Sequence, residues 1–119
     1  MKTHHRELLL LYNPSLSADR KTLAHAKGTG QKIRSYEHSK IRSTTTIWKS
    51  ILKKLDKHPK ELLNKAHPYY QAHIRGKDFN MHGWLNILQN NPELIKHPIA
   101  IKGSKALLCK TPTDIYKIA

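Results

Sequence analysis

The apolar positions near the start of the chain predict a strand that turns directly into a helix. Leu8–Tyr12 is an apolar run with the length of a buried strand. Asn13-Pro14 breaks this run, and small polar residues then lead into an amphipathic segment from about 17 to 27. Gly28 and Gly30 are placed to end that helix. In α/β proteins, anions and catalytic nucleophiles often lie at such a strand-to-helix junction.

The apolar positions in the middle of the chain recur with a helical period. One apolar stripe follows a capping position at Thr44 or Thr45, and another follows Asn80. The stripe after Thr44 or Thr45 consists of Ile47, Trp48, Ile51, Leu52 and Leu55, and the stripe after Asn80 consists of Met81, Trp84, Leu85 and Leu88. Pro59 is placed to open a short helix between them, and Pro68 is expected to interrupt the chain. Both tryptophans are therefore interpreted as core residues.

Two short apolar runs near the end of the chain predict a hairpin. Pro98–Ile101 and Ala106–Cys109 are joined by Lys102-Gly103-Ser104, and Thr111-Pro112 begins a last helix. Ile33–His38, after the first helix, is predicted as a second and more polar strand. The crossover through that helix makes the first pair of strands parallel, and the hairpin makes the second pair antiparallel. We therefore predict an α/β, thioredoxin-like fold in a single domain over residues 1–119. It has a four-stranded mixed sheet flanked by helices, with a helical insertion between the two β halves.

The charge of the chain is strongly basic. Twenty-two lysines and arginines against eight acidic residues give a formal net charge of +14. The basic residues are spread along the chain and are not interleaved with stacking aromatics, so nucleic acid is expected to bind only non-specifically. No apolar run is long enough to span a bilayer. We therefore expect no membrane partner and a cytoplasmic location.

Cysteine and histidine usage limits the chemistry. The single cysteine, Cys109, excludes an internal disulfide and a cysteine-based zinc site. The nine histidines show no recognisable ligand spacing, so neither a metal nor another cofactor is predicted. Cys109 itself has two interpretations, a small buried core residue or a redox thiol activated by Lys110.

Three stretches of the chain resemble the ArsC/Spx family of arsenate reductase-related proteins. YNPSLSADRKTL (12–23) resembles the family's first loop, Asn-Pro-x-Cys-x-x-Ser-Arg followed by a helix. HPKELLNKAHPYYQ (58–71) resembles the central Pro-x-Glu-Leu-Leu segment. NPELIKHPIAIKGSKALLCKTPTDIYKI (91–118) resembles the C-terminal signature in length, order and residue types. The resemblance covers nearly the whole chain and implies the same thioredoxin-like fold.

The resemblance places Leu16 where the reductases of the family carry their catalytic cysteine. That cysteine attacks the oxyanion and a second thiol resolves the adduct, whereas a leucine can neither ionise nor attack. Ser15 and Ser17 are interpreted as helix caps, because a hydroxyl nucleophile needs an adjacent base. Asp19 stands at the family's serine position and suits the helix dipole. Leu16 is expected to fill the apolar space that the cysteine sulfur would face, near Pro98.

The resemblance also implies an anion-binding site, in which this chain has fewer arginines than the family. Positions where the family carries further basic groups hold Asn64, His97 and Lys110. Lysine lacks the bidentate fork of arginine, and a histidine is charged only part of the time near neutral pH. The candidate anion-binding residues are Ser15, Ser17, Arg20, His97 and Lys110.

Two further expectations concern the same site. Arg20, the residue that keeps the loop's identity, could alternatively pair with Asp19. Pro98 is the candidate cis-proline, because the family's thioredoxin-like pattern has a cis bond at the start of this strand. Such a bond would place His97 next to the first loop.

Two functions remain open from the sequence. The first is a non-catalytic binding or regulatory module whose partner is a protein or a small oxyanion. Spx proteins, which dock on RNA polymerase, supply the precedent, although Leu16 and Asp19 replace their Cys-x-x-Cys switch. The second is an oxidoreductase of the arsenate reductase family, with residual activity that depends on Cys109 or on an external thiol such as glutathione.

Overall fold

The computed structural model describes residues 7–38 and 44–119. The strands are Glu7–Tyr12 (β1), Lys32–Glu37 (β2), Ile99–Lys102 (β3) and Lys105–Leu108 (β4). The α-helices are Ser17–Gly28 (α1), Thr45–Leu55 (α2), Pro68–His73 (α3) and Met81–Asn90 (α4). Short 3₁₀ helices are Pro59–Leu62, Pro92–Leu94 and Pro112–Lys117. This order confirms the predicted helical insertion between two β-containing halves.

The chain divides into two compact units. The first spans Met1–Ile41 and His97–Ala119, of which residues 7–38 and 97–119 are described. The second spans Arg42–Lys96, described from residue 44 onward. The single domain over residues 1–119 therefore stays a prediction, and each unit is described by itself.

The first unit contains a four-stranded mixed sheet with the strand order β2-β1-β3-β4. β1 runs parallel to β2 and antiparallel to β3, and β3 runs antiparallel to β4. Gly103 begins the two-residue turn between β3 and β4 with a φ of 60°, a value that glycine adopts without strain. The predicted α/β, thioredoxin-like arrangement is confirmed.

The central strand β1 is buried on both faces. Leu8 and Leu10 point to the face that is covered by α1 and by the 3₁₀ helix Pro112–Lys117. Leu9 and Leu11 point to the opposite face and are each 1% exposed. A strand with both faces covered needs apolar side chains at every position, which explains the uninterrupted run of leucines.

The second unit consists of helices that follow the predicted caps. Thr44 Oγ1 accepts a hydrogen bond from the Ile47 N–H at 3.2 Å, and Asn80 Oδ1 accepts one from the Gly83 N–H at 2.8 Å. The apolar faces of α2 and α4 pack together, and both tryptophans are buried. These caps and core residues are confirmed.

One local prediction needs correction. The sequence predicts an interruption at Pro68, but Pro68 is the first residue of α3, a position where its missing N–H costs no helical hydrogen bond. His67 caps this helix, because its Nδ1 accepts from the Tyr69 N–H at 3.1 Å. The last helix predicted after Thr111 is present as the 3₁₀ helix Pro112–Lys117. Within the described residues, no helix has the length and apolar character that crossing a bilayer requires.

Candidate functional site

The carboxyl ends of β1 and β2 lie side by side at one edge of the sheet. Tyr12, the last residue of β1, pairs with Glu37, the last residue of β2. Asn13 and His38 therefore follow their strands at the same level. We call this edge, with the loop of residues 13–16 that leads into α1, the loop edge.

The β3–β4 hairpin has its open end at the loop edge. Ile99, the first residue of β3, pairs with the penultimate residue of β1. The Cys109 N–H donates to the Pro98 carbonyl at 2.8 Å, which extends the ladder between β3 and β4 by one step. His97 and Lys110 are the next residues outward, so the sheet register brings both to the loop edge.

The backbone of the first loop is held by its own residues. The Asn13 N–H donates to Asp19 Oδ2 at 2.9 Å. The Ser15 N–H donates to Asn13 Oδ1 at 3.0 Å, and the Leu16 N–H donates to the Asn13 carbonyl at 3.1 Å. These bonds use three backbone donors that an oxyanion would otherwise compete for. The first-turn N–H groups of α1, which have no partner within a helix, are the donors left at this end.

The predicted capping by serine is wrong. Leu16 is the N-cap residue of α1, and no side chain makes a capping hydrogen bond there. The Asn13 side chain instead bonds the Ser15 N–H in the loop before the helix, because an asparagine readily bonds the backbone two residues on. Ser15 and Ser17 are exposed on either side of Leu16.

Arg20 is also held within the loop. Its Nη1 donates to the Pro14 carbonyl at 2.8 Å, and the predicted pairing with Asp19 is wrong. Arg20 is exposed, so the rest of its guanidinium remains accessible from solvent. The anion-binding roles of Ser15, Ser17, Arg20, His97 and Lys110 stay predictions.

Asp19 is a buried carboxylate in the first turn of α1. Only 1% of the surface of Asp19 is exposed to solvent. Burial raises its pKa above the ordinary value, and the hydrogen bond from the Asn13 backbone offsets part of that shift. Asp19 thus fastens the start of the loop to the helix, and its charge opposes an anion bound at this end.

Leu16 lies at the surface, and the prediction that it fills an apolar space near Pro98 is wrong. Its exposed fraction is 39%. The N-cap residue has an extended backbone, with φ −97° and ψ 126°, and the helix begins only at the next residue. A residue at this position of the turn projects toward solvent even when it is apolar.

The cis bond predicted at Pro98 is also wrong. No peptide bond in the described parts of the chain is cis. The trans form is intrinsically favoured for X–Pro bonds, and the sheet register alone brings His97 to the loop edge. His97 is half-buried there, and Pro98 is buried.

Cys109 is a buried thiol in the core of the first unit. It is 1% exposed and packs in a cluster with Leu8, Leu10 and Ile115. Burial raises the pKa of the Cys109 thiol to about 12, and the charges of Asp114 and Asp19 act in the same direction. The thiol therefore stays protonated at neutral pH, as expected of a core residue.

We expect Cys109 to resist alkylation in the folded protein. At pH 8, iodoacetamide should modify it many-fold more slowly than in denaturant, because the thiolate is the nucleophile and the folded state suppresses it. Mass spectrometry over a time course measures both rates. Equal rates with and without denaturant would show that the thiol is accessible and ionised in the native state.

His38 is a titratable group at the loop edge that sequence analysis did not single out. It is 7% exposed, so its imidazole ring is almost completely removed from water. Burial lowers its pKa to about 4, and a hydrogen bond with the Leu11 backbone offsets part of that shift. The sequence places His38 at the end of the second predicted strand, whereas the observed strand ends at Glu37; the burial of His38 could not be predicted from the pattern.

Asn64 belongs to the second unit. Its Oδ1 accepts a hydrogen bond from the Ala66 N–H at 3.1 Å, so this side chain is engaged in a local turn.

Within the ranges 7–38 and 44–119, no three histidine, cysteine or acidic side chains are grouped so that they could hold a metal ion.

Comparison with known proteins identifies a family and several solved structures that this chain resembles. The model of the ArsC family matches residues 11–118. An arsenate reductase from Vibrio cholerae superposes with a TM-score of 0.87 at 17% identity, over 96% of this chain and 98% of that one. A Yersinia pestis protein thought to be an arsenate reductase superposes with a TM-score of 0.84 at 20% identity, over 92% of this chain and 98% of that one. At these identities the likeness is one of fold. No curated protein sequence matches.

Proposed function

This chain belongs to the ArsC family, and from that premise we propose that it is a non-catalytic binding or regulatory member. One observation carries the proposal: the only cysteine of the whole sequence is Cys109, which is buried in the core. Thiol chemistry needs an accessible thiolate, and a thiol with a pKa of about 12 supplies almost none at neutral pH.

The start of α1 supports the same proposal. The resemblance assigns the nucleophile's position to Leu16, whose exposed side chain offers no acid, base or nucleophile. A helix N-terminus lowers the pKa of a thiol placed on it, but it has no such effect on an alkyl group. Serine could serve as a nucleophile only beside a general base, and the nearby carboxylate of Asp19 is buried and bonded to the Asn13 N–H.

The loop edge also offers little for an oxyanion to bind. Three loop N–H groups and one guanidinium nitrogen of Arg20 already have partners in the protein. Lys110 supplies a point charge without the geometry of an arginine fork. A protein partner therefore suits this chain better than a small oxyanion, and a cytoplasmic location is part of the proposal.

We expect arsenate reduction by the purified protein to stay at background. Arsenite formation is measured in separate reactions with glutathione plus glutaredoxin and with thioredoxin as the reductant. Leu16→Cys should recover little activity, because a thiol introduced there still lacks the paired arginines that hold a tetrahedral anion. Activity above background in the unaltered protein would contradict the proposal.

The Cys109→Ser variant identifies the source of any activity that appears. Activity lost in Cys109→Ser would mean that the core thiol becomes accessible, and the chain would then be an oxidoreductase. Activity kept in Cys109→Ser but dependent on glutathione would assign the chemistry to an external thiol. Either result would replace the non-catalytic function with the oxidoreductase alternative.

A further inference from the structure

The second unit contains a pocket with an apolar floor and a basic rim. Its volume is about 420 Å³, and it lies between α2 and the first turn of α4. Leu52, Leu85 and Met81 supply its apolar surface. Leu52 and Leu85 are nearly buried, whereas Met81 is 49% exposed. We call this feature the lysine pocket.

Three lysines form the rim of the lysine pocket. Lys49, Lys53 and Lys57 line it and follow one another at intervals of four residues. Residues four apart lie on the same face of a helix, so Lys49 and Lys53 form a row along α2. Lys57 lines the pocket from beyond the helix end, after the left-handed residue Asp56. None of the three forms an ion pair with another described residue.

The other polar lining groups leave the rim basic. Asp56 is the one acidic side chain of the lining, so it offsets one of the three lysine charges. His58 Nδ1 accepts a hydrogen bond from the Lys60 N–H at 3.1 Å. The same ring packs edge-on against Trp84, with the ring centroids 5.5 Å apart. His58 is therefore fixed in place as part of the pocket wall.

We propose that the lysine pocket docks an acidic segment of a protein partner. An apolar side chain of that segment packs on Met81 and the two leucines, and its carboxylates contact the lysine row. Because the helical rise is about 1.5 Å per residue, Lys49 and Lys53 are separated by about 6 Å along α2. Glutamates at every fourth position of a partner helix repeat with the same backbone spacing, so successive carboxylates can face successive lysines.

Charge and surface chemistry favour this occupant over a nucleic acid. A net charge of +14 steers any polyanion toward the protein. Single-stranded nucleic acids also need aromatic platforms for base stacking, and no aromatic residue other than His58 lines the pocket. A concave apolar floor with an exposed methionine and a charged rim is instead the pattern of a peptide-binding site with a central anchor.

The probe is a fluorescein-labelled helical peptide with glutamates at every fourth position and leucines on the adjoining stripe. We expect saturable binding by fluorescence anisotropy, with chemical-shift changes confined to α2, the His58 region and the start of α4. A peptide with glutamine for glutamate and a peptide with alanine for leucine should each bind at least about tenfold more weakly, since both contacts contribute to the binding free energy.

Matched protein variants separate the pocket from general charge. Lys53→Glu and Met81→Asp should weaken binding by about tenfold or more. Lys54→Glu makes the same charge change as Lys53→Glu on an exposed residue of α2 that does not line the pocket, and should change binding about twofold or less. Circular dichroism verifies that each variant is folded.

Several results would overturn the docking proposal. These are no detectable peptide binding, equal weakening by Lys53→Glu and Lys54→Glu, or equal binding of the glutamine peptide. Chemical-shift changes at the pocket caused equally by a single-stranded oligonucleotide would assign the surface to nucleic acid instead. The pocket and the first loop use different residues, so a positive reductase assay would overturn the non-catalytic function without affecting this result.

Discussion

Replacing Leu10 with alanine should lower the free energy of unfolding by about 3–5 kcal/mol, measured by urea denaturation. Leu10 is fully buried and belongs to the cluster formed by β1, Ala26, Ala100 and Cys109. Truncation loses the transfer free energy of its side chain and leaves a cavity that this packed cluster cannot easily close. Because single domains are stable by only about 5–15 kcal/mol, the loss is a large share of the total.

Leu16→Ala is the matched control, since it makes the same chemical change at an exposed position. With 39% of Leu16 exposed, its truncation should cost less than about 1 kcal/mol. A cost at Leu16 equal to that at Leu10 would mean that Leu16 packs in the interior, as the sequence first indicated. The pair therefore tests directly where the leucine of the first loop lies.

The second large effect is a loss of stability in mild acid that depends on His38. Burial lowers the pKa of His38 to about 4 from the ordinary value of 6.5. Between these values the unfolded chain binds a proton that the folded chain does not, so stability falls as the pH falls. The stability contributed by the neutral side chain is fully present above pH 6.5 and is lost by about pH 4, a change of about 3 kcal/mol.

His38→Gln isolates this contribution, because carboxylates also titrate in acid. The difference in unfolding free energy between the unaltered protein and His38→Gln should change by about 3 kcal/mol from pH 7 to pH 4. His82→Gln, at an exposed position of α4, serves as the control and should follow the unaltered protein. A difference that is constant over this pH range would show that His38 titrates normally in the folded state.

The first loop and the lysine pocket give the two units different chemistry. The loop satisfies its own donors through Asn13, Asp19 and Arg20, so it is built to hold a strand-to-helix junction. The lysines of the pocket leave their charges without ionic partners in the described part of the chain. Uncompensated charge next to exposed apolar surface is typical of a site whose partner is another molecule.

The sequence by itself determined the elements and their order. Five consecutive apolar residues require a strand covered on both faces, and the 3.6-residue stripes after Thr44 and Asn80 specify helices with those caps. The crossover and hairpin rules then specify a mixed sheet, and the motifs of the three stretches identify the family. These are local or pairwise constraints, which depend only on residue types and spacing.

Only the tertiary structure decided how the side chains at the loop edge are used. Leu16 is exposed, Arg20 bonds the Pro14 carbonyl, and Asn13 bonds the Ser15 N–H within the loop. His38 is buried beside the backbone of Leu11, a residue of the neighbouring strand that is distant in sequence. Burial and hydrogen-bond competition are properties of the assembled fold, so the residue pattern could place these groups at one edge but could not assign their partners.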